Sequence, residues 1–288
     1  MLKINKVKND WKGELPSGLT WYFVGQPKTG KTTNASKWSA GGQEKVLLID
    51  TDLGSDFVNG ANVVTCGFLN TPARVKEVDG VKVMKNGKPQ VEAIPPEERG
   101  YFYRSGPDKG KPMPVYALGE ILKDLEANWN EYGIDTVVID TLDQVNQWIE
   151  ETVCKDMGLT DVSEGDWGSG WAAARKKNVD IIIRLQAFLK KVGGNLVLIS
   201  HSKQTAMTDS KAQLSPQLPS GLARSVTAKA DVIGYTTCDK ESGGYNLSFE
   251  SYDERMIGSR LRPLAQKVIP FDYETIIKTI KSYKEEGE

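Results

Sequence analysis

The chain has 288 residues, 39% hydrophobic and 26% charged, and its 37 Lys and Arg against 38 Asp and Glu leave a formal charge of −1. That length suits one large α/β domain or two small ones, and the composition excludes collagen-like, coiled-coil, disulfide-framework and wholly disordered classes. A generic polyanion binder held by overall charge is disfavoured, so any nucleic-acid contact must come from local basic segments.

In chain order, the first sharp apolar run is Leu19–Val24 (LTWYFV), followed by a helical pattern over Lys31–Ala40. Further runs lie at Val46–Ile49, Thr136–Ile139, Leu196–Ile199 and Val232–Thr236. Continuous rather than alternating apolar strands indicate a sheet covered on both faces, which is usually parallel. Helical patterns at Tyr116–Tyr132, Asp143–Met157 and Gly170–Val192 separate them, the last with Val179, Ile182, Ile183, Leu185, Phe188 and Leu189 as an apolar stripe. This alternation predicts a doubly wound α/β domain. Tyr245–Glu254 and Lys267–Tyr273 read as strands that end the sheet antiparallel, before a helix at about Glu274–Lys284. Two stretches interrupt the pattern. Phe57–Pro114, rich in Gly, Pro and charge, reads as an inserted β element or flap, with a hairpin turning at Asn86-Gly87. Ser202–Ala223 is polar and β-poor, and reads as a long loop. One domain over residues 1–288 that carries the 57–114 insertion is the expected organisation.

The first strand leads into Gly25-Gln26-Pro27-Lys28-Thr29-Gly30-Lys31-Thr32, with Thr33 after it, which fits G-x-x-x-x-G-K-[ST]. Glycines at both ends let the backbone wrap a phosphate so that successive N–H groups point inward, toward the start of a helix. Lys31 then places a point charge on the β- and γ-phosphates, and the Thr32 hydroxyl joins the Mg²⁺ shell. An ordinary Gly-rich strand–helix turn is the plain alternative. The second half of such a site is an acidic residue ending a neighbouring strand, and TVVID supplies Asp140. N-capping of the following helix is its competing role. In LLIDTDLGSD, Asp50 and Asp52 cluster where the second strand leaves the sheet; Asp52 is the candidate for orienting the attacking water and Asp50 the runner-up, with loop capping as the alternative for both. His201, the single histidine, emerges from LVLISHSKQ at the same sheet edge, placed to sense the γ-phosphate or simply to be solvated.

The phosphate loop, the acidic end of the second strand, the hhhhD strand and the polar end of the fourth together resemble the RecA-like ATPase fold. More closely, they are similar to phage-encoded AAA/RecA-type nucleotide-binding proteins that include the single-strand annealing ATPases of recombination modules. The segments that carry the resemblance run from about residue 20 to 265 and include GQPKTGKTT, LLIDTDLGSD, the hhhhD run, GDWGSGW, LVLISHSKQ, AKADVIGY and GSRLRPL. RecA-like proteins commonly have Glu where Asp52 stands, and many relatives have Gln where His201 stands. The resemblance implies ATP and Mg²⁺ as ligands, a homo-oligomer with ATP between subunits, and a neighbour's cation that neutralises transition-state charge. Arg260, Arg262 and Lys229 are the foremost candidates for that cation, with Arg255 and Lys267 behind them, and exposed salt bridging is their alternative role.

The same resemblance implies single-stranded DNA as a partner. Lys203, Lys211 and Arg224 in the loop after the fourth strand are the candidate contacts, although that loop lacks stacking aromatics. Tyr101, Phe102, Tyr103 and Arg104 in the insertion offer a stacking-plus-charge alternative, or the packing face of a hairpin. The expected function is a Mg²⁺-dependent ATPase that assists single-stranded DNA annealing or recombination beside a single-strand binding protein. A P-loop kinase acting on a small molecule and a nucleotide-gated scaffold with little hydrolysis are the alternatives. Cys66, Cys154 and Cys238 are odd in number, widely spread and form no CxxC, which suits a reducing cytoplasm. The polar N-terminal stretch MLKINKVKNDWKGELPSG and the lack of any run of ~20 apolar residues argue against a signal peptide and a membrane span.

Overall fold

The opening strand, β1 (Thr20–Gly25), is buried at all 6 positions, as an apolar run without polar alternation requires when helices cover both faces of a sheet. The computed structural model describes residues 17–206, 212–239, 243–251 and 256–283, and sets this strand inside an 11-stranded sheet. α1 (Lys31–Ala35), β2 (Val46–Asp50) and β3 (Asn62–Phe68) follow. An arm of short hairpins then leaves the sheet. In it β4 (Ala73–Val75) pairs with β9 (Val91–Ala93), β5 (Glu77–Val78) with β6 (Val81–Lys82), and β7 (Met84–Lys85) with β8 (Lys88–Pro89). β10 (Tyr116–Ala117) returns to the sheet edge, ahead of α2 (Leu118–Tyr132), β11 (Thr136–Asp140), α3 (Leu142–Met157), α4 (Ser169–Val192) and β12 (Asn195–Ala206). The remaining elements are β13 (Ala212–Pro216), α5 (Ser220–Thr227), β14 (Val232–Cys238), β15 (Tyr245–Ser248), β16 (Gly258–Ser259), β17 (Val268–Pro270) and α6 (Tyr273–Lys281).

The strand order is β10-β3-β2-β11-β12-β1-β14-β15-β17. Pairing is parallel from β10 through β14 and antiparallel beyond it. This is a doubly wound, mostly parallel sheet, extended by antiparallel C-terminal strands. Because side chains alternate along a strand, β1 sends Tyr22 and Val24 into one core, with α2, α3 and α4. Trp21 and Phe23 enter the other, with α1 and α6. There Trp38 packs edge-on to Trp21, Phe23 and Phe271 at centroid distances of 5.1, 4.6 and 5.7 Å.

Several elements differ from the expectations of sequence. α1 stops at Ala35, five residues before the expected end, because the chain turns there to drive Trp38 into the aromatic cluster. The inward stripe of α4 includes Gly170, Ala174 and Asn178 as well as Ile182, Leu185 and Leu189, whereas Ile183 is exposed. The stretch read as a polar loop, Ser202–Ala223, is instead structured. β12 continues to Ala206 and pairs antiparallel with β13, from Ser202 opposite Pro216 to Ala206 opposite Ala212, and α5 follows. A ladder made by backbone groups outside the two cores leaves no hydrophobic signature. β15, β17 and α6 are shorter than their apolar patterns suggest.

β3 belongs to the main sheet, so the excursion within residues 57–114 starts after Phe68. Its Asn86-Gly87 turn has φ of 51° and 74°, as a two-residue hairpin with both central residues left-handed requires. Buried Arg99 ties the base of the arm to α2. It makes a two-pronged pair with Glu120 at 2.7 and 2.8 Å and donates to the carbonyls of Ile94 and Val115. That guanidinium holds the Glu120 carboxyl down at about 2. Tyr101 packs edge-on to Phe68 at 6.0 Å, which fits the packing role weighed for the insertion's aromatics. Among the described residues no helix is long and apolar enough to cross a membrane.

Candidate nucleotide site

The parallel strands finish at one edge, and register decides which ends become neighbours. Gly25 lies beside His201 on one side and Thr236 on the other, while Asp140 lies beside Asp50. Val138 of β11 and Val197 and Ile199 of β12 enter the core on the α1 side. The period of two therefore carries Asp140 and His201 to that same face.

The loop between β1 and α1 bends through Lys28 and Gly30, whose φ angles are 63° and 74°. Gln26, Pro27 and Lys28 form its exposed apex. A Cβ added to Gly30 would come 2.5 Å from the Tyr245 ring, and one added to Gly25 would run into the Thr236 side chain. Both glycines are thus required by close approach. The hydroxyls of Thr29 and Thr236 share a 2.5 Å hydrogen bond, which pins the loop to β14. Lys31 is buried, and its ammonium donates to the carbonyls of Gly25 and Gln26 at 2.9 and 2.7 Å. Burial lowers its pKa, and the charges of Asp140, Asp143 and Asp52 oppose that shift. Thr33 is exposed on the outer side of α1.

The Thr32 hydroxyl donates to Asp140 Oδ2 at 2.5 Å across 108 residues of sequence. Burial above all, together with the charges of Asp52 and Asp50, pushes the Asp140 carboxyl up to about 6. The Asp140–Thr141 peptide is cis. Thr141 donates its hydroxyl to Asp52 Oδ2 at 3.2 Å and accepts from the Gln144 amide, so one side chain both caps α3 and holds Asp52. Asp52 is an exposed residue whose carboxyl is partly desolvated against the cluster, and its pKa rises mainly for that reason. Asp50, the runner-up, is committed elsewhere: it accepts from the amides of Asp52, Gly54 and Ser55 and from the Ser55 hydroxyl, and so shapes the loop. His201 is held by Asp143, whose Oδ2 accepts from the His201 backbone N–H at 2.7 Å and lies 2.9 Å from its ring Nδ1.

Residues 17–263 match the family model described as an AAA domain. The chain belongs to the AAA domain family. It is a P-loop NTPase, with Lys31, Thr32 and Asp140 in one cluster. A solved KaiC-like protein from the hyperthermophilic archaeon Pyrococcus horikoshii is also similar to it. That match has 13% identity, a TM-score of 0.42, and covers 90% of this chain and 87% of the other. No curated protein matches the sequence.

The donor set of this AAA domain fits a nucleotide with its metal. A glycine-lined bend, a buried ammonium and a paired hydroxyl and carboxylate are the groups that phosphate oxygens and a hard divalent cation require. Thr32 and Asp140 would hold Mg²⁺, which would neutralise developing phosphate charge, while the loop from Gly25 to Thr33 would wrap the phosphates.

The remaining predicted residues lie elsewhere. Arg260 pairs with Asp231 at 2.9 Å and donates to the Ala228 carbonyl, at the amino ends of β1 and β14, opposite the phosphate loop. Lys229 is half-buried just past α5, and Arg262 and Lys267 are exposed near β17. Lys203 donates to the Leu218 carbonyl at 2.6 Å and steadies the β12–β13 hairpin, and Arg224 is exposed on α5. Lys211 and Arg255 lie outside the described residues. Sequence reasoning missed Thr141, Asp143, Thr236 and Tyr245 as part of the site. The first two are legible in hindsight as polar residues directly after an hhhhD strand. Thr236 and Tyr245 reach the loop only through β14 and β15, and carry no local signal.

Proposed function

We propose that this AAA-domain protein is a Mg²⁺-dependent ATPase that assembles with ATP between its subunits. In this reading it promotes annealing or recombination of single-stranded DNA in a phage-type module, beside a single-strand binding protein. The observation that carries the nucleotide half is the Thr32–Asp140 contact beside the buried Lys31 ammonium. It brings together, from two distant segments, a hydroxyl and a carboxylate that would face a metal and an ammonium that would face the phosphates.

The DNA half draws support from a feature away from the basic loop. Trp167 is 105% exposed, at the edge of a cavity of about 610 Å³ that also takes in Trp171, Arg175, Asn146 and Glu150. Two open indole faces and a guanidinium supply the stacking groups missing from Ser202–Ala223. A small-molecule kinase would favour an arginine-rich lid. In the arm, however, Arg74, Arg99 and Arg104 are all engaged with carboxylates.

Phosphate release from ATP and Mg²⁺, measured with and without a single-stranded oligonucleotide, tests the reading, together with sizing in an ATP analogue. Turnover stimulated by the oligonucleotide and an ATP-dependent increase in size are expected, and Lys31→Ala should abolish turnover. Full activity in that variant would refute the site, and a phosphorylated metabolite in place of free phosphate would favour the kinase.

A further inference from the structure

His201 is gripped twice by one atom. Asp143, in the first turn of α3, accepts the backbone N–H and faces ring Nδ1 with the same Oδ2, at 2.7 and 2.9 Å. The first contact fixes the end of β12, and the second fixes the plane of the ring. An imidazole whose Nδ1–H donates to a carboxylate carries its lone pair on Nε2; the tautomer follows from that hydrogen bond. The Asp143 side chain is 14% exposed, and its Oδ1 is buried without a hydrogen-bond partner among the described residues. The ring lies on the α1 face with Asp140, one strand from Gly25, and near enough to Asp52 for a positive charge on it to lower the Asp52 pKa.

Water that attacks a phosphoryl group in line must direct a lone pair at phosphorus, so both of its protons need acceptors on the far side. A single short carboxylate at Asp52 can take one. We propose that Nε2 of His201 is the second acceptor and the base of the hydrolytic step, and that Asp143 is the positioning residue that keeps the imidazole in this tautomer. The inference rests on the NTPase reading of the same site. In the step, the water oxygen bonds to the γ-phosphorus while the bond from phosphorus to the β,γ-bridging oxygen breaks and ADP leaves with that electron pair. One water proton remains on the phosphate formed. The other passes to Nε2, and the imidazolium is stabilised by Asp143 until it returns the proton to solvent.

The test compares native protein, Asp143→Asn, His201→Gln and the double variant by ATP turnover, by affinity for a non-hydrolysable ATP analogue with Mg²⁺, and by thermal unfolding. Asp143→Asn keeps an oxygen facing both donors but removes the charge that stabilises the imidazolium, so its kcat should fall about 100-fold while KM and analogue affinity stay within about threefold. His201→Gln should fall comparably, and Asp143→Asn should add less than about threefold in the His201→Gln background, since both act through one ring. Retention of native kcat in Asp143→Asn overturns the proposal, as does multiplication of the two losses in the double variant. A native protein that binds the analogue without turnover also overturns it and leaves the nucleotide site standing. Failure of the native protein to bind any nucleotide sinks the underlying reading instead.

Discussion

Asp140 should destabilise the metal-free chain that it serves. The residue is 7% exposed, and burial raises the pKa of its carboxyl from the ordinary 3.8 to about 6. At about 1.4 kcal/mol per pKa unit, that difference is worth about 3 kcal/mol. The direction follows from proton binding. Below about pH 4 the carboxyl is neutral in folded and unfolded chains alike, and the penalty is absent. Between about 4 and 6 the folded chain keeps a proton that the unfolded chain has released, so stability falls as pH rises; above about 6 the full penalty applies. Asp140→Asn removes the charge, keeps the shape and leaves an amide oxygen to accept from Thr32. In a chelating buffer at pH 7.5 the variant should therefore be more stable than the native chain by up to about 3 kcal/mol, a rise of several degrees in Tm at roughly 2–4 °C per kcal/mol. The gap should close toward pH 4. Adding Mg²⁺ and an ATP analogue should reverse the order, because only the native carboxylate gains from the metal. Thermal unfolding at a series of pH values reads all three outcomes. A variant less stable than native at pH 7.5 without metal, or a gap that does not change with pH, would refute the reasoning.

Arg99→Ala should cost about 3 kcal/mol or more, since it strands Glu120 and two carbonyls at the base of the arm; denaturant unfolding measures the loss, and hydrogen exchange should rise over residues 94–117. With Arg99 gone, the stability that Glu120 contributes above its ordinary pKa of 4.5, and that fades as pH falls toward about 2, should shrink in the acid unfolding profile to what the Ala117 amide and Thr71 still hold. Trp167→Ala should leave Tm within about 1 °C, because the indole is fully exposed, yet weaken oligonucleotide binding at least about fivefold in a fluorescence titration. Unchanged affinity would remove the support for the stacking surface. Gly30→Ala places a methyl group against Tyr245 at a positive φ, and should abolish turnover while Gly30→Ala/Tyr245→Ala recovers only part of it; full recovery would mean that backbone conformation is unimportant there.

Much of this site could be read from the chain because its chemistry depends on spacing. A phosphate loop needs its glycines, lysine and threonine at fixed intervals after a strand, and a metal-facing carboxylate needs an apolar strand before it; both patterns are local. The parallel sheet was legible for a related reason, since strands covered on both faces, as β1 and β11 are at every position, read as continuous apolar runs rather than alternating ones. Polar structure outside the cores left no such trace, and so the β12–β13 hairpin reads as a loop. A helical stripe does not say how wide the covered face is, and Ile183 of α4 stays exposed for that reason. Asp50 and Asp52 look equivalent in LLIDTDLGSD, and only the fold separates the carboxylate saturated by Gly54 and Ser55 from the one held by Thr141. Tertiary structure alone brought Asp143 to His201 and Tyr245 to Gly30, because those contacts depend on strand register and crossover, which no short window of sequence contains.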